Sequence, residues 1–589
     1  MPYVELHCHS YYSFQEGASS IEELVETAKS LDYPALALTD HDNVCGALSF
    51  AEISKSANIQ PITGVEITLT DNSHLTLIAQ NRLGYTNLCN LVTHAYMESE
   101  DKQPRLDSRY FKDYSDGLIL LTGCSLGSIP SSISKGYFSQ AELDLRNLLE
   151  LFGANNVFIE LQNNFVRGDF LRNARLLELG KNLGIPVVAT NNVHYHKKYR
   201  QHLQDVLVAI KHNQSLETST AYLKTNNHYH LKSSRQMEKL FRDIPQAIEN
   251  TLKIAERCSF NLISDLKYQF PNYPVPKGHT QTSYLKELCQ IAAIRRYGEI
   301  NSRISDRLEE EFRLIEKHNL SGFLLIYHEI IQIAREVMVD LGLVDREIPL
   351  EERPPGRGRG SSVAMLVGYL IGLSHIDPLE FNLSLERFLP EDMASVPDID
   401  LDFPRNIRGE LISRVHKQWG WDHAALTGMI NTYRMKSAIQ DIGKALSLPK
   451  HHLTQLSNRV DSSNPKDLKT EMESLPEFKG FASTPIWKDL IDLTHQLDGF
   501  PRYLAQHPGG MIFSSSPLTN MVPIQPASIE GRYICQWDKD TIDTANFIKI
   551  DFLGLGTLSQ MQEILELIEG CLLYTSPSPR DATLSRMPS

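Results

Sequence analysis

Three acidic residues alternate with apolar ones in the segment PDIDLDF at residues 397–403. On a β-strand, a spacing of two places Asp398, Asp400 and Asp402 on one face and the apolar side chains on the other. A row of carboxylates is costly unless a cation lies between them, and Mg²⁺ prefers such oxygen ligands together with substrate phosphates. The segment therefore predicts a strand that carries a metal site for phosphoryl or nucleotidyl transfer. Alone, it would also fit a half-exposed strand with solvated acids.

A segment rich in glycine, arginine and serine, PPGRGRGSS, lies upstream at residues 354–362. Glycines let the backbone approach a phosphate closely, and the hydroxyls of Ser361 and Ser362 and the guanidinium of Arg359 can bind its oxygens. The apolar residues 363–373 predict a buried helix whose positive N-terminal end lies at this loop. The spacing fits neither the Walker A pattern nor the dinucleotide fingerprint, which argues against a P-loop ATPase or a Rossmann enzyme. Alone, such a run is more often a flexible solvated loop.

A third segment, FIKIDFL at residues 547–553, predicts a strand with Lys549 and Asp551 on one face. Asp551 would close the metal site opposite the first strand. Lys549 would neutralise a triphosphate or assist proton transfer to the leaving pyrophosphate. The alternative for this segment alone is a salt-bridged pair at a strand end.

Five motifs together resemble the palm of the bacterial family C DNA polymerases, the α subunits of DNA polymerase III: GRGS at 358–361, DPLEF and ERFL within 377–389, PDIDLDF at 397–403, HPGG at 507–510 and KIDFLGL at 549–555. The resemblance implies DNA synthesis from dNTPs on primer-template DNA with two Mg²⁺ ions. By motif position the catalytic set is Asp398, Asp400 and Asp551, with Asp402 and Lys549 beside them. The implied triphosphate-binding residues are Gly358, Arg359, Gly360, Ser361, Ser362, Arg387 and His507.

Several short apolar runs near the N-terminus end in residues that can bind a metal. They are VELHCH at 4–9, ALAL followed by TDHD at 35–42, GVE at 64–66, LTGC at 121–124 and VVATNNVH at 187–194. Helical patterns separate several of them, and one begins with a capping box formed by Ser20 and Glu23. The alternation predicts a barrel-type α/β domain, in which the site lies at the C-terminal ends of the strands.

Residues 1–265 resemble the polymerase and histidinol phosphatase (PHP) domain found at the front of family C polymerases. In that family the site binds up to three metals and supports phosphoesterase or proofreading exonuclease activity, so Zn²⁺ or Mn²⁺ is expected here. By motif position the ligands are His7, His9, Glu16, His41, Glu66, His94, Cys124, Asn192 and His194. Glu16 and Asn192 stand where aspartate is usual, and a neutral asparagine is a poorer ligand. The alternative is a metal-stabilised domain without catalysis.

Bulk properties limit the class of protein. A chain of 589 residues with 41% hydrophobic and 22% charged residues predicts a soluble multidomain α/β protein. It shows no membrane span and no signal peptide, and its eight cysteines have no paired spacing, so we expect a cytoplasmic protein. The net charge of −14 does not indicate a nucleic-acid binder, although Arg357 and Arg359 show that basic character can be local.

Composition shifts and helical spacing predict the domain boundaries. We expect a PHP-type distorted (β/α) barrel at 1–265, a linker at 266–280, a nucleotidyltransferase-like palm at 281–431 and 499–556, a helical thumb insertion at 432–498, the start of the fingers at 557–569 and a non-native or disordered tail at 570–589. The tail departs from the family, so we expect a fragment that lacks the contacts of the full α subunit to the sliding clamp and other replisome subunits. Alone, it should be a weak or inactive polymerase.

Three readings of function stay open from the sequence. The first is the N-terminal half of a DNA polymerase III α subunit. The largely intact His/Glu set favours a replicative form, whereas QWDKD at 536–540 is closer to the error-prone branch, and we favour the general α subunit. The second is a metal-dependent phosphoesterase with an inert polymerase half. The third is a chain that only binds primer-template DNA or a partner.

Overall fold

The computed structural model describes residues 1–99, 103–266, 268, 272–350, 355–358, 360–387, 389–392, 399–557, 559–561, 563–564 and 567–568. They form two compact units. The first contains Met1–Tyr268, Thr427–His507 and Pro517–Ala545, and the second contains the described residues of Gln269–Leu426, Pro508–Ser516 and Asn546–Ser589. The chain therefore enters each unit more than once.

Strands and helices follow one another along most of the described chain. The strands are β1 (Ala35–Leu38), β2 (Gln60–Thr68), β3 (His74–Ala79), β4 (Leu118–Leu121), β5 (Val157–Gln162), β6 (Val187–Thr190), β7 (Arg357–Gly358), β8 (Asp400–Pro404), β9 (Ala424–Thr432), β10 (Pro501–Phe513), β11 (Ile524–Pro526), β12 (Tyr533–Asp538) and β13 (Lys549–Leu555). The α-helices are α1 (Ile21–Ser30), α2 (Ala47–Ser56), α3 (Arg82–Met97), α4 (Phe111–Tyr114), α5 (Ser128–Lys135), α6 (Phe138–Phe152), α7 (Asp169–Leu183), α8 (Gln201–Lys211), α9 (Ser234–Leu240), α10 (Pro245–Arg257), α11 (Leu262–Asp265), α12 (Gln281–Tyr297), α13 (Ser302–Lys317), α14 (Ser321–Asp340), α15 (Leu366–Leu370), α16 (Arg405–Trp419), α17 (Met435–Ala445), α18 (Lys450–Arg459), α19 (Leu468–Ser474), α20 (Pro485–Gln496) and α21 (Lys539–Thr544).

In the first unit, β1 to β6 form one sheet in sequence order. The pairs β1–β2, β4–β5 and β5–β6 are parallel, whereas β3 pairs antiparallel with both β2 and β4. The N-terminal segment bridges Glu5 to Leu36 in β1 and Cys8 to Val193 just after β6. Because one segment contacts both ends of the sheet, the sheet curls into the distorted barrel that the sequence predicts.

Local sequence explains several elements of this barrel. Helix α1 begins at the predicted capping box, in which Ser20 accepts from the backbone of Glu23 and Glu23 accepts from that of Ser20. The apolar runs of β1, β4 and β6 are buried at every position. Continuous apolar strands of this kind are typical of sheets covered on both faces.

The first unit also contains the helices of the predicted thumb and the segment Pro517–Ala545. Residues of α17, α18 and α20 share one hydrophobic cluster with Leu203, Val206 and Leu207 of α8. In β12, the indole Nε1–H of the fully buried Trp537 donates to the carbonyl of Val44 at 3.3 Å. The domain boundaries stay predictions, because the compact units follow this packing and not the order of the chain.

In the second unit, part of β10 pairs antiparallel with β13, β13 pairs parallel with β8, and β8 pairs antiparallel with β7. Phe403 of β8 and Phe552 of β13 are fully buried, and their ring centroids lie 5.9 Å apart. These side chains hold the apolar face of the sheet against its helices. None of the helices within the described ranges is both long enough and apolar enough to cross a bilayer.

Candidate functional site

Asp400 and Asp551 lie side by side on neighbouring strands. They are register partners in the parallel pair of β8 and β13, and register partners point to the same face of a sheet. Asp402 lies two residues further along β8, so it shares that face. The strand on the other side of β13 places Gly510 opposite Asp551, and glycine adds no side chain there. The structure therefore brings together three of the four predicted carboxylates.

Most of the acidic face is buried, and Asp400 is partly exposed. Asp402, Asp551 and Lys549 are each only 7% exposed, and Lys549 Nζ lies 3.4 Å from Asp551 Oδ2. Asp551 Oδ1 has no hydrogen-bond partner within the described part of the chain. Buried carboxylates need a cation or hydrogen-bond donors beside them. Mg²⁺ ions, which take carboxylate oxygens, would therefore fit this face.

Some predicted palm residues lie outside the described residues, namely Asp398, Arg359 and the side chains of Arg387 and Ser361. Gly360 begins a 3₁₀ turn. Of the other predicted substrate-binding residues, Ser362 is buried, and His507 lies in β10 and is partly buried.

The glycine segment lies along the acidic strand, since Gly358 of β7 is the register partner of Leu401. The Gly358 N–H donates to the carbonyl of Leu373 at 2.6 Å. A Cβ at Gly358 would lie only 2.7 Å from that oxygen, so a larger residue would displace the segment. This close approach explains the glycine without any reference to a ligand.

The predicted helix over residues 363–373 is wrong in extent and in role. A 3₁₀ turn covers Gly360–Ala364, and α15 spans only Leu366–Leu370. The first N–H groups of α15 are already occupied, because Leu366 and Val367 donate to the carboxylate of Glu311 at 2.7 and 2.8 Å. Glu311 is fully buried and far away in sequence. The positive end of this helix therefore binds a side chain of the protein, and its first N–H groups are not free to bind a phosphate.

A second cluster lies in the barrel, with Glu66 of β2 at its centre. Glu66 Oε1 lies 3.3 Å from His7 Nε2 and 3.4 Å from His74 Nδ1. Glu66 Oε2 lies 3.0 Å from His41 Nδ1 and 3.5 Å from His9 Nε2. The two triads His7/His9/Glu66 and His41/Glu66/His74 each have their ligand atoms within 4.8 Å of one another. One carboxylate shared by four imidazoles can bridge two metal ions.

Supporting groups orient these imidazoles. His7 Nδ1 lies 2.7 Å from Glu160 Oε1, His9 Nδ1 lies 3.0 Å from Ser13 Oγ, and His194 Nδ1 donates to the carbonyl of Asn192 at 2.9 Å. An acceptor at Nδ1 holds the proton there and leaves the Nε2 lone pair free for a metal. The same arrangement at three histidines is that of a metal centre.

Electrostatics and unmet hydrogen bonds agree with a metal. His7 Nε2, His9 Nε2 and Glu66 Oε1 are buried and make no hydrogen bond within the described ranges. Burial lowers the pKa of His9 to about 3 and holds that of His194 well below its usual value, so both are neutral near pH 7. Burial also lowers the pKa of His7, but the nearby Glu160 and Glu66 outweigh it and raise that pKa to about 10. Without a metal, His7 therefore carries a proton that a bound metal would displace, whereas the neutral His9 and His194 and the unpartnered Nε2 and Oε1 atoms fit a bound cation directly.

The remaining predicted ligands surround this centre. The ring of His194 lies 4.5 Å from that of His9, Cys124 Sγ lies 3.7 Å from His74 Nδ1, and Glu16 lies 3.8 Å from His41 while pairing with Lys211. Asn192 is buried, and its Oδ1 has no partner among the residues that the structure describes. Asn192 also adopts a positive φ of 47°, which asparagine tolerates well.

Two differences from the predicted ligand set stand out. His94 lies on α3, where its ring stacks on Tyr110 with centroids 3.9 Å apart, and neither triad of described residues includes it. His74 takes part in a triad but was missed, because it begins a strand, and only residues at strand ends were considered. The sequence feature that could have revealed His74 is the apolar run that follows the DNS turn at residues 71–73. Glu160 was missed as well, since it is hidden inside the strand β5.

Comparison with known proteins matches two families to this chain. Residues 5–164 match the PHP domain family, and residues 283–554 match the family described as the bacterial DNA polymerase III alpha NTPase domain. An error-prone DNA polymerase of Symbiobacterium thermophilum is 33% identical over 96% of this chain and 52% of its own length. The corresponding values are 34%, 96% and 52% for an error-prone DNA polymerase of Pseudomonas syringae, and 32%, 96% and 49% for a DNA polymerase III subunit alpha of Borreliella burgdorferi.

The chain spans about half the length of these curated relatives. Among solved structures, an amidohydrolase from Chromobacterium violaceum covers 33% of this chain and 87% of its own, with 14% identity and a TM-score of 0.22. A score this low supports no argument about function. With a PHP domain followed by a polymerase domain, and with relatives aligned along nearly all of its length, the chain belongs to the family of bacterial DNA polymerase III α subunits and error-prone DNA polymerases.

Proposed function

We propose that the chain carries the nucleotidyl-transfer centre of a DNA-directed DNA polymerase that acts on primer-template DNA and dNTPs. The observation that carries this proposal is the register pairing of Asp400 with Asp551, with Asp402 on the same face. Before folding, these acids are separated by most of the polymerase domain. Like charges that meet on one face destabilise it less when a cation lies between them, which supports a metal site there.

Each residue of this face has a distinct role in the proposal. Asp400 and Asp551 hold the metal ions, and Asp402 adds negative charge beside them. Two Mg²⁺ ions bound there would bring the primer 3′-oxygen and the α-phosphate together and offset the developing charge. Lys549, 3.4 Å from Asp551, is placed to neutralise the triphosphate or to donate a proton to the leaving pyrophosphate. Gly358 and Ser362 shape the loop next to this face.

The test compares Asp400→Asn and Asp551→Asn with Asp392→Asn, the same substitution at an exposed position. We expect the first two variants to lose primer extension, to bind Mn²⁺ more weakly in electron paramagnetic resonance titrations, and to keep their affinity for primer-template DNA. The control should match the wild type in all three assays. The Mn²⁺ titration decides the case even if extension by the 589-residue chain is weak. Unchanged Mn²⁺ binding by Asp551→Asn would contradict the proposal.

The relatives leave the biological role of this polymerase open between two branches. Proteins named error-prone DNA polymerase and DNA polymerase III subunit alpha match at 33% and 32% identity. Identities this close favour neither branch. A lesion-bypass assay in the presence of the metal would distinguish them, since only a damage-tolerant enzyme should extend past an abasic template position.

A second function is favoured by the Glu66 cluster. We propose that the barrel is a metal-dependent phosphoesterase or 3′–5′ exonuclease, with His7, His9, His41, Glu66 and His74 as ligands. The support is the pair of triads that share Glu66. Elemental analysis and hydrolysis of 3′-mismatched primers test it: His9→Ala and His74→Ala should lose both metal and cleavage, whereas His94→Ala should keep both. Bound metal without cleavage by the wild type would leave only a structural role.

A further inference from the structure

Phe165 is an exposed aromatic residue in an unusual conformation. It follows β5, one of the strands whose C-terminal ends surround the Glu66 cluster, and 59% of its surface is exposed. Its φ of 57° lies in the left-handed region, which bulky side chains rarely adopt. A conformation of this kind persists only when the surrounding structure imposes it, and such residues gather at functional sites.

The surrounding contacts show what imposes this conformation. The buried carboxylate of Asp169 accepts from the N–H groups on either side of Phe165, from Asn164 at 2.9 Å and from Val166 at 3.0 Å. Arg172 holds Asp169 in place through a contact of 2.7 Å. The turn is therefore clamped, and the phenyl ring has to point out of it.

The ring of Phe165 contacts His228, with centroids 4.4 Å apart and planes tilted by 49°. A second loop carries His228, and it is tied to the first because Asn226 Nδ2 donates to the carbonyl of Asn164 at 2.8 Å. Asn191, just after β6, donates to the carbonyl of His228 at 3.0 Å. Both loops are thus fixed at adjacent strand ends, and the two rings form a rigid pair.

A line of chemically suitable groups connects this pair to the metal cluster. Tyr229 follows His228, and its ring lies 6.0 Å from that of the predicted ligand His194. Lys224 Nζ lies 4.8 Å above the Tyr229 ring. An aromatic surface, a cation and a metal centre in this order match the base, phosphate and scissile ester of a nucleic-acid end.

We propose that Phe165 and His228 form a base-stacking platform for the terminal nucleotides of single-stranded DNA, with Lys224 binding a phosphate on the way to the Glu66 cluster. Stacking on aromatic side chains is tolerant of sequence. The stacking itself does not require hydrolysis. Only the step from binding to cleavage rests on the phosphoesterase function proposed above.

The test uses a DNA oligonucleotide with 2-aminopurine at its 3′ end, whose fluorescence is quenched on stacking. Phe165→Gly is a useful variant because glycine accepts a positive φ, so it should fold at least as well as the wild type. It should lose the quenching and bind the oligonucleotide roughly 5- to 150-fold more weakly. Phe165→Tyr should keep both, and Phe170→Ala, at an 87% exposed residue nearby, should match the wild type.

Two further measurements separate this inference from the phosphoesterase proposal. His9→Ala should lose hydrolysis yet keep the quenching, and Phe165→Gly should hydrolyse β-glycerophosphate, which has no base, as fast as the wild type. If the wild type quenches but cleaves nothing, the platform stands and the phosphoesterase proposal fails. Equal oligonucleotide affinity of Phe165→Gly and the wild type would overturn the platform. It would also be overturned if the wild type bound no oligonucleotide and a protein partner bound this surface instead.

Discussion

Glu311 offers the sharpest test of how the loop before α15, Gly360–Ala364, is held. Its carboxylate accepts from Leu366 and Val367 and from Arg307 Nε at 2.8 Å. Arg307 in turn donates to the carbonyls of Ala364 and Leu383 at 2.8 and 3.3 Å. Glu311→Ala removes the partner of a largely buried guanidinium, which costs about 3–5 kcal/mol. The N–H groups of Leu366 and Val367 also lose their acceptor. Their cost is included in the same 3–5 kcal/mol, because free-energy effects within one hydrogen-bond network are not additive.

The same carboxylate makes a prediction about pH. Burial raises the pKa of Glu311 from 4.5 to about 7, against the opposing pull of its donors. Between these values the folded chain keeps a proton that the unfolded chain releases, so this group lowers stability as pH rises. The free energy of unfolding falls by ~3 kcal/mol in total over this pH range. Because Glu311→Gln does not titrate, we expect its unfolding free energy relative to the wild type to rise by ~3 kcal/mol between pH 4.5 and pH 8.

Urea unfolding at both pH values, together with hydrogen exchange of residues 360–370, measures these effects. Glu310→Ala, at the exposed neighbouring position, is the matched control and should change little. In Glu311→Ala we expect faster exchange at Leu366 and Val367 and a higher KM for dNTPs in an active polymerase, since the loop before α15 loses its anchor. An unfolding free energy within 1 kcal/mol of the wild type at pH 8, with unchanged exchange, would refute the reasoning.

Three further predictions concern the first unit. Trp537→Ala should lower the unfolding free energy by about 3–5 kcal/mol through a cavity. Trp537→Phe keeps most of the aromatic volume and should cost less, with about 1 kcal/mol of its cost from the lost bond to Val44; urea titration distinguishes the two variants. Chelation of bound metal should remove ~2.7 kcal/mol of stability if the metal was present at 100 times its Kd, and Glu66→Gln should show no such loss on chelation. Asn192→Asp should raise metal affinity roughly tenfold, as measured by competition with a chromophoric chelator; unchanged affinity would place Asn192 outside the coordination sphere.

Much of both sites was predictable from local sequence. The spacing of two in 397–403 and 547–553 identifies the acids that share a face, and the structure places Asp400, Asp402 and Asp551 accordingly. The capping box of Ser20 and Glu23 was also predictable, because both partners lie within one turn of helix. The paired histidines of VELHCH meet Glu66 as expected. In each case the pattern lies in residues close in sequence: alternating carboxylates or histidines on one strand face, or two partners within one turn of a helix.

The residues that sequence reasoning missed act over long separations. Glu311 reaches α15 from a different helix, so the apolar run at 363–373 could not show that its N-terminus was already occupied. His74 joins the cluster only because β3 turns back antiparallel to β2, which no motif records. His94 has the right residue type but sits on a helix face that packs against Tyr110.

The sequence by itself determined which side chains share a face and which chemistry they can perform, since those properties follow from the period of a strand or helix. Only the tertiary structure decided which faces meet. That choice depends on burial of apolar side chains such as Phe403 and Phe552 on the opposite side of the sheet, a collective gain that no local pattern contains. Asp400 therefore lies beside Asp551 because the apolar faces beneath them pack together.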